Sequence, residues 1–288
     1  SYYGFRYIQV EGAVLKGQKN TLHLPVIQKI QSCFVYNSAP KVSTFQCSNR
    51  IFNEAHRLIE KAVRSNMQSV FTDCPHREKL GWLEQDHLCG PGLLYNYDLT
   101  GFLPQTLQNI ADAQHANGAV PTTAPEYVVF EGPGMDAFAE SPEWGCTFVV
   151  FPFMYYETYG DDSLIRKYYN GMRRYIDYMT TRANDGIVSF GLGDWYDYGD
   201  FRAGFSRNTP VPLVATAHYY MVVRYLVEAA RMLDNRYDVA YYTHLGEEIN
   251  KAFHREFYHK DTRQYGTGSQ CSNALPLFLG MVPADDRQ

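Results

Sequence analysis

The run Asp73-Cys74-Pro75-His76-Arg77-Glu78-Lys79-Leu80-Gly81-Trp82 and the residues just after it hold four carboxylates, Asp73, Glu78, Glu84 and Asp86, with Arg77 and Lys79 among them. Carboxyl groups at this density suit general acid–base work when one of them keeps its proton. If a helix begins after Pro75 and covers 77–89, Glu78 and Trp82 share one face at i and i+4. A carboxyl packed against an indole is harder to ionise and can stay protonated as an acid catalyst. Arg77 and Lys79 pull the other way, because a nearby cation favours the carboxylate. The competing arrangement has Asp73 capping the helix, Arg77 paired with a neighbouring acid and Glu78 solvated. A second stretch, Gly193-Asp194-Trp195-Tyr196-Asp197-Tyr198, alternates acids and rings. It either grips sugar hydroxyls and ring faces or forms a turn whose aromatics pack inward.

Other chemistries lack their residues. There is no G-x-S-x-G elbow and no G-x-x-x-x-G-K-[ST] loop, and Gly191-Leu192-Gly193 has no third glycine at dinucleotide spacing. The cysteines, Cys33, Cys47, Cys74, Cys89, Cys146 and Cys271, form no C-x-x-C pair, so buried free thiols are expected and zinc is not. No EF-hand spacing occurs, and no metal or other cofactor is expected. Of the 9 histidines only His76 lies in the acidic run. A net charge of -5 and a pI near 6.0 argue against a nucleic-acid surface, and no apolar run approaches the length of a membrane span. Ser1-Tyr2-Tyr3-Gly4 reads as the middle of a domain. A signal peptide upstream would make the protein periplasmic or extracellular, and otherwise it is cytoplasmic.

Helices must position these residues. Residues 5–30 read as two or three strands, with alternation at 6–11 and 21–24, and the period turns helical at Ser48, a candidate N-cap. A domain boundary near residue 46 follows. Helical patterns recur at 146–159, 163–180, 212–233 and 237–257, and the 212–233 segment is apolar over much of its circumference, as an inner helix should be. Antiparallel helix pairs with little strand between them suit a bundle or a toroid of hairpins. Two Gly/Pro/Asp-rich stretches, 118–145 and 185–210, are long enough to need a functional reason. The 24 Tyr and 17 Phe beside 3 Trp supply either core or stacking platforms.

The Asp73–Trp82 run resembles the signature of bacterial α-L-rhamnosidases that use a six-hairpin α/α barrel. Tyr3-Gly4-Phe5-Arg6-Tyr7 looks like a strand of that family's β-sandwich domain, and Phe45-Gln46-Cys47-Ser48-Asn49 looks like the barrel entry. Pro142-Glu143-Trp144-Gly145, Gly193-Asp194-Trp195 and Ser272-Asn273-Ala274-Leu275-Pro276 look like further family segments in the expected order. The resemblance implies a mainly α chain, an incomplete six-hairpin α/α barrel preceded by a short β-sandwich segment. Residues 1–45 would end the β-sandwich domain and its linker, and 46–288 would form the N-terminal and middle part of the catalytic barrel.

What the resemblance implies for function is hydrolysis of a terminal α-L-rhamnosyl bond, in a rhamnose-containing oligosaccharide or glycoside, with inversion. Glu78 matches the family's general acid, Asp73 and Arg77 match residues that hold sugar hydroxyls, and Trp82, Trp144 and Trp195 match aromatic walls, with Asp194 beside the last. Two departures stand out. Gln85 occupies a position where the family commonly has aspartate, so that Glu84 or Asp86 substitutes or the sugar contact differs. The family's general base is a glutamate well beyond Ser272-Asn273-Ala274, which implies that these 288 residues are an excerpt of a longer enzyme. A uronyl or glucosyl hydrolase of the same fold, and a carbohydrate-binding relative without catalysis, are the alternative readings. The excerpt alone should show negligible hydrolysis of aryl α-L-rhamnosides; turnover at full-length rates by the purified 288-residue chain would refute this.

Overall fold

Helices make up close to half of the chain in the computed structural model, which describes residues 2–287. Two units divide it: Ser1–Ser38 with Phe45–Leu80, and Ala39–Thr44 with Gly81–Gln288.

In the first unit the strands are shorter than the alternation suggests. β1 (Val14–Leu15) and β2 (Val26–Ile27) pair in parallel, and neither 6–11 nor 21–24 forms a strand. Alternation reports a face, not a partner. The Asn20 side chain bonds both the N–H and the C=O of Leu24, at 2.9 and 2.7 Å, which makes 20–24 a turn. Helix α1 (Arg50–Asn66) is capped by Asn49 and not by Ser48: the Asn49 side chain accepts from Ile51 N at 2.9 Å while its backbone is still extended. After α1, Asn37 ties to the chain at Met67 and Gln68, and Arg64 lies over the Tyr36 ring at 3.9 Å.

In the second unit come α2 (Leu83–Asn96), α3 (Phe102–Ala113), two single-turn helices, α4 (Asp136–Ala139) and α5 (Pro142–Gly145), then α6 (Thr147–Tyr159) and α7 (Ser163–Arg182). A hairpin, β3 (Asp197–Gly199) with β4 (Phe201–Gly204), precedes α8 (Val211–Met232) and α9 (Arg236–Phe257). Strands β5 (Tyr258–His259) and β6 (Gln264–Tyr265) and helix α10 (Gln270–Phe278) follow. Helices α6, α7, α8 and α9 fall within two residues of the patterned segments.

Packing sorts these helices. α8 touches α5, α6, α7, α9 and α10, and α6 touches α2, α3, α7 and α8. These two are the inner helices, as the all-round apolar character of 212–233 predicts. α6 is buried from Thr147 to Phe153. α7 and α9, with polar outer faces, each pair with the inner helix preceding them. Asn235 caps α9 through Asp238 N, and Ser269 caps α10 through Ser272 N, both at 3.1 Å. The free thiols divide by place: Cys146 alone is buried, and Cys33 and Cys89 are exposed, so the expectation of buried thiols fails for most of them.

Phe253 is fully buried among Leu213, Val214 and Phe257, whereas Leu277 on α10 is half exposed. Chemical denaturation should show Phe253→Ala losing about 3–5 kcal/mol of stability and Leu277→Ala losing less than about 0.5 kcal/mol.

Candidate functional site

The acidic run lies in the first unit up to Leu80, and it is a loop. No helix begins after Pro75; α2 starts only at Leu83, so Glu78 and Trp82 do not share a helical face. The physical reason is local. Asp73 N bonds Leu80 O at 3.0 Å and closes the loop, and Lys79 turns it with φ +58. Burial would raise the Cys74 thiol, but the N–H groups of Lys79, Glu78 and Arg77, with the Arg77 side chain, hold it below its ordinary value. The two cations behave differently from each other. Lys79 donates to Tyr2 O at 2.5 Å and sits over the Tyr2 and Tyr3 rings. Arg77 pairs with Asp73 at 3.5 Å and has Cys74 and Glu78 within electrostatic reach. Glu78 itself is exposed.

The second unit carries a separate cluster. Leu83 N bonds Thr122 O at 2.9 Å and Ala124 N bonds Gly81 O at 3.0 Å, so the extended 119–124 segment fixes where α2 begins. That places Glu84 in the first turn, half-buried, and Asp86 3% exposed inside. His87 Nδ1 meets Thr147 Oγ1 at 2.7 Å, and the same hydroxyl donates to Leu83 O at 2.8 Å, which ties α2 to α6. Burial, then the His218 ring, push His87 down to about 3 and keep it neutral.

Opposite the start of α2 stands α5. Its Glu143 is 2% exposed; Oε2 accepts from Ser141 Oγ, and Oε1 is buried with no partner. Ser141 Oγ in turn accepts from Leu192 N at 2.8 Å. Gly191, at φ +125, lets the loop come this close: a Cβ there would lie 2.8 Å from Glu143 Oε2 and 2.9 Å from Ser141 Oγ. Burial pushes Glu143 up to about 7, against the donors of Ser141 and the 192–193 backbone. Burial, then Glu143 and Asp194, push Glu84 up to about 8. Burial also raises Asp86, whose Oδ1 has no partner. Among the described residues none of Glu84, Glu143 and Asp194 is in an ion pair.

Rings wall this cluster. Trp82 stacks on Phe130 with centroids 5.3 Å apart, and Phe138 meets Trp195 edge-on at 5.5 Å and Phe205 at 5.6 Å. Trp144 is buried at 3% exposure. Asp194 accepts from Thr209 Oγ1 at 3.1 Å and borders a cleft of about 810 Å³ lined also by Asn208, Ser269 and Cys271. Asp197 is different. Its two oxygens take the N–H groups of Tyr198, Arg207 and Asn208 and the Asn208 amide, so it organises the turn and has little left for a ligand.

Of the residues singled out from the sequence, Trp82, Glu84, Trp195 and Asp194 come together in the second unit, with Asp86 and Trp144 buried in it, and Asp73, Arg77 and Glu78 share the loop of the first. Sequence reasoning passed over Glu143, Phe130, Phe138 and Phe205. Glu143 carried a usable signal, a carboxylate next to a tryptophan within a long Gly/Pro-rich stretch.

Residues 40–288 match the family described as the bacterial alpha-L-rhamnosidase 6 hairpin glycosidase domain. The chain belongs to that family. An alpha-L-rhamnosidase of Formosa agariphila is 28% identical over 300 residues, 99% of this chain but 30% of the relative. One of Streptomyces avermitilis is 28% identical over 286 residues, 98% of this chain and 25% of the relative. Among solved structures, the alpha-L-rhamnosidase of Dictyoglumus thermophilum superposes with a TM-score of 0.78 at 29% identity, covering 87% of this chain and 28% of that one. The Streptomyces avermitilis enzyme, solved with L-rhamnose, gives 0.76 at 27%, covering 88% and 23%. The chain thus spans under a third of the length of these rhamnosidases, and its helices are those of a six-hairpin glycosidase domain.

Within this rhamnosidase domain the raised carboxyls set a pH dependence. Glu143 holds a proton in the fold up to about 7, whereas unfolded it releases it near 4.5. Its contribution to stability is therefore fully present below about 4.5 and is lost as pH rises through about 7. Glu143→Gln should remove that loss. Thermal melts across this window should show the variant gaining on the native chain as pH rises; parallel Tm curves would contradict the assignment.

Proposed function

We propose that this chain supplies the sugar-holding part and the general acid of an α-L-rhamnosidase, which releases terminal α-L-rhamnose with inversion. The observation that carries the reading is the cluster of Glu84, Glu143 and Asp194 under the rings of Trp82, Phe130, Phe138, Trp195 and Phe205, within a domain of this family. Carboxyl groups take sugar hydroxyls, and apolar ring faces suit a 6-deoxy sugar, whose methyl group needs no polar partner.

Glu78 takes the acid role through the Asp73–Trp82 signature, with Asp73 and Arg77 contacting hydroxyls. Glu84 is the carboxylate that stands in for the aspartate absent at Gln85. Asp86, one residue beyond, is buried within α2. Trp82 and Trp195 face the sugar, and the buried Trp144 backs the wall.

In the protein that carries this chain, aryl α-L-rhamnosides should be cleaved in preference to aryl glucosides and uronides; equal rates would end the rhamnose assignment. Glu78→Gln should lower kcat on substrates with poor leaving groups by about 10²–10⁴-fold and leave L-rhamnose binding nearly unchanged. A variant as fast as the parent would remove Glu78 from the acid role.

A further inference from the structure

One buried residue is bonded to two separate parts of the ring wall. Thr122 lies fully inside, in the extended 119–124 segment. Its C=O accepts from Leu83 N at 2.9 Å and Ala124 N donates to Gly81 O at 3.0 Å, with Trp82 paired to Thr123 between them. Its own N–H donates to Ala139 O at 3.2 Å, and its hydroxyl donates to Phe138 O. The segment thereby joins the start of α2, where Trp82 stands, to α4, which carries Phe138.

Phe138 is where the rings meet. Its centroid lies 5.5 Å from that of Trp195, 5.6 Å from Phe205, 6.0 Å from Phe130 and 6.4 Å from Trp82. A single turn such as α4 does not hold itself, so the place of this ring depends on ties from elsewhere in the chain. Beyond it, Glu140 is held by the Tyr178 hydroxyl and by Arg182 Nη1 at 2.6 Å, and Ser141 Oγ accepts from Leu192 N at 2.8 Å. Before it the chain runs through the exposed residues 131–134, where Gly132 and Gly134 take positive φ. The Thr122 bonds fall between these two stretches, on Phe138 itself and on Ala139.

We propose that Thr122 is a positioning residue of the sugar site, its hydroxyl fixing Phe138 against Trp82 and Trp195 so that the half-buried rings present one surface. The inference rests on the reading above that this wall meets the sugar. Threonine suits the task because its branched side chain is stiff at χ1 and aims the hydroxyl in one direction. Removing that donor leaves the Phe138 carbonyl without its bond in the interior. Edge-on ring contacts depend on orientation, so a wall made of them answers to a small backbone shift.

Thr122→Val and Thr122→Ser, in the protein that carries this chain, test this. Valine keeps the shape and loses the donor, whereas serine keeps the donor. Thr122→Val should raise KM for an aryl α-L-rhamnoside about 3–10-fold with kcat within about twofold, and Thr122→Ser should return KM to within about twofold of the parent. Thr106→Val, which removes a similarly buried hydroxyl from its bond to Phe102 O within α3, should leave KM where it was. A KM unmoved by Thr122→Val, or raised equally by Thr106→Val, would overturn the proposal. If Thr122→Val does not fold, Phe138→Leu, at a half-buried position, should raise KM in the same way, and an unchanged KM there would be equally fatal. ¹⁹F NMR of protein labelled with 5-fluorotryptophan reads the wall without substrate: the Trp82 and Trp195 resonances should shift in Thr122→Val and return in Thr122→Ser. That pattern in a protein that does not cleave rhamnosides would sink the substrate assignment and keep the role of Thr122; cleavage with KM and resonances unmoved would do the reverse.

Discussion

A carboxyl group removed from water with no counter-ion is the constraint around which the second unit is arranged. Glu143 is held by Ser141, Ser141 by Leu192 N, and the loop carrying Leu192 can approach only because residue 191 is glycine. Three stretches far apart in sequence, 141–145, 191–194 and the start of α2, thus answer to one buried group. A proton is the least costly way to satisfy it; burial raises Glu84 as well, and the charge of an ionised Glu143 adds to that.

The helices provide the rigidity this arrangement needs. α6 and α8 are buried nearly all round, so the short α5 rests on an interior that cannot shift without opening cavities. The His87–Thr147–Leu83 bonds carry the same fixity to α2. Side chains that must meet a sugar are then presented from helix starts and loops backed by a packed layer, the usual division between scaffold and function. The ring cluster adds directional packing, since edge-to-face contacts such as Phe138 on Trp195 favour particular orientations.

The loop 73–80 follows a different logic. It is fixed by its own backbone, with the Asp73–Leu80 bond and the turned Lys79. Glu78 is exposed on it, with Arg77 within electrostatic reach and no shared helical face with Trp82. Family membership covers residues 40–288 and includes this loop, but the relatives are more than three times as long as the matched region.

Much of the scaffold was legible from the sequence. Helices α6 to α9, the inner place of 212–233 and the onset of a helix near residue 48 follow from periodicity, which is a local property of side-chain order. The signature run and the ordered segments after it identified the family. The helix expected after Pro75 failed because the loop closes on itself through the Asp73 N to Leu80 O bond and turns at Lys79, and the strands at 6–11 and 21–24 failed because a ladder needs a partner that alternation does not name. Glu143 stayed hidden for a related reason. The tryptophan beside it marks the segment, but only the tertiary structure buries the carboxyl and leaves it without a cation. Sequence by itself determined which helices form and which family they serve. Tertiary structure decided which carboxyls keep their protons, because desolvation depends on what surrounds a group in space and not on what precedes it in the chain.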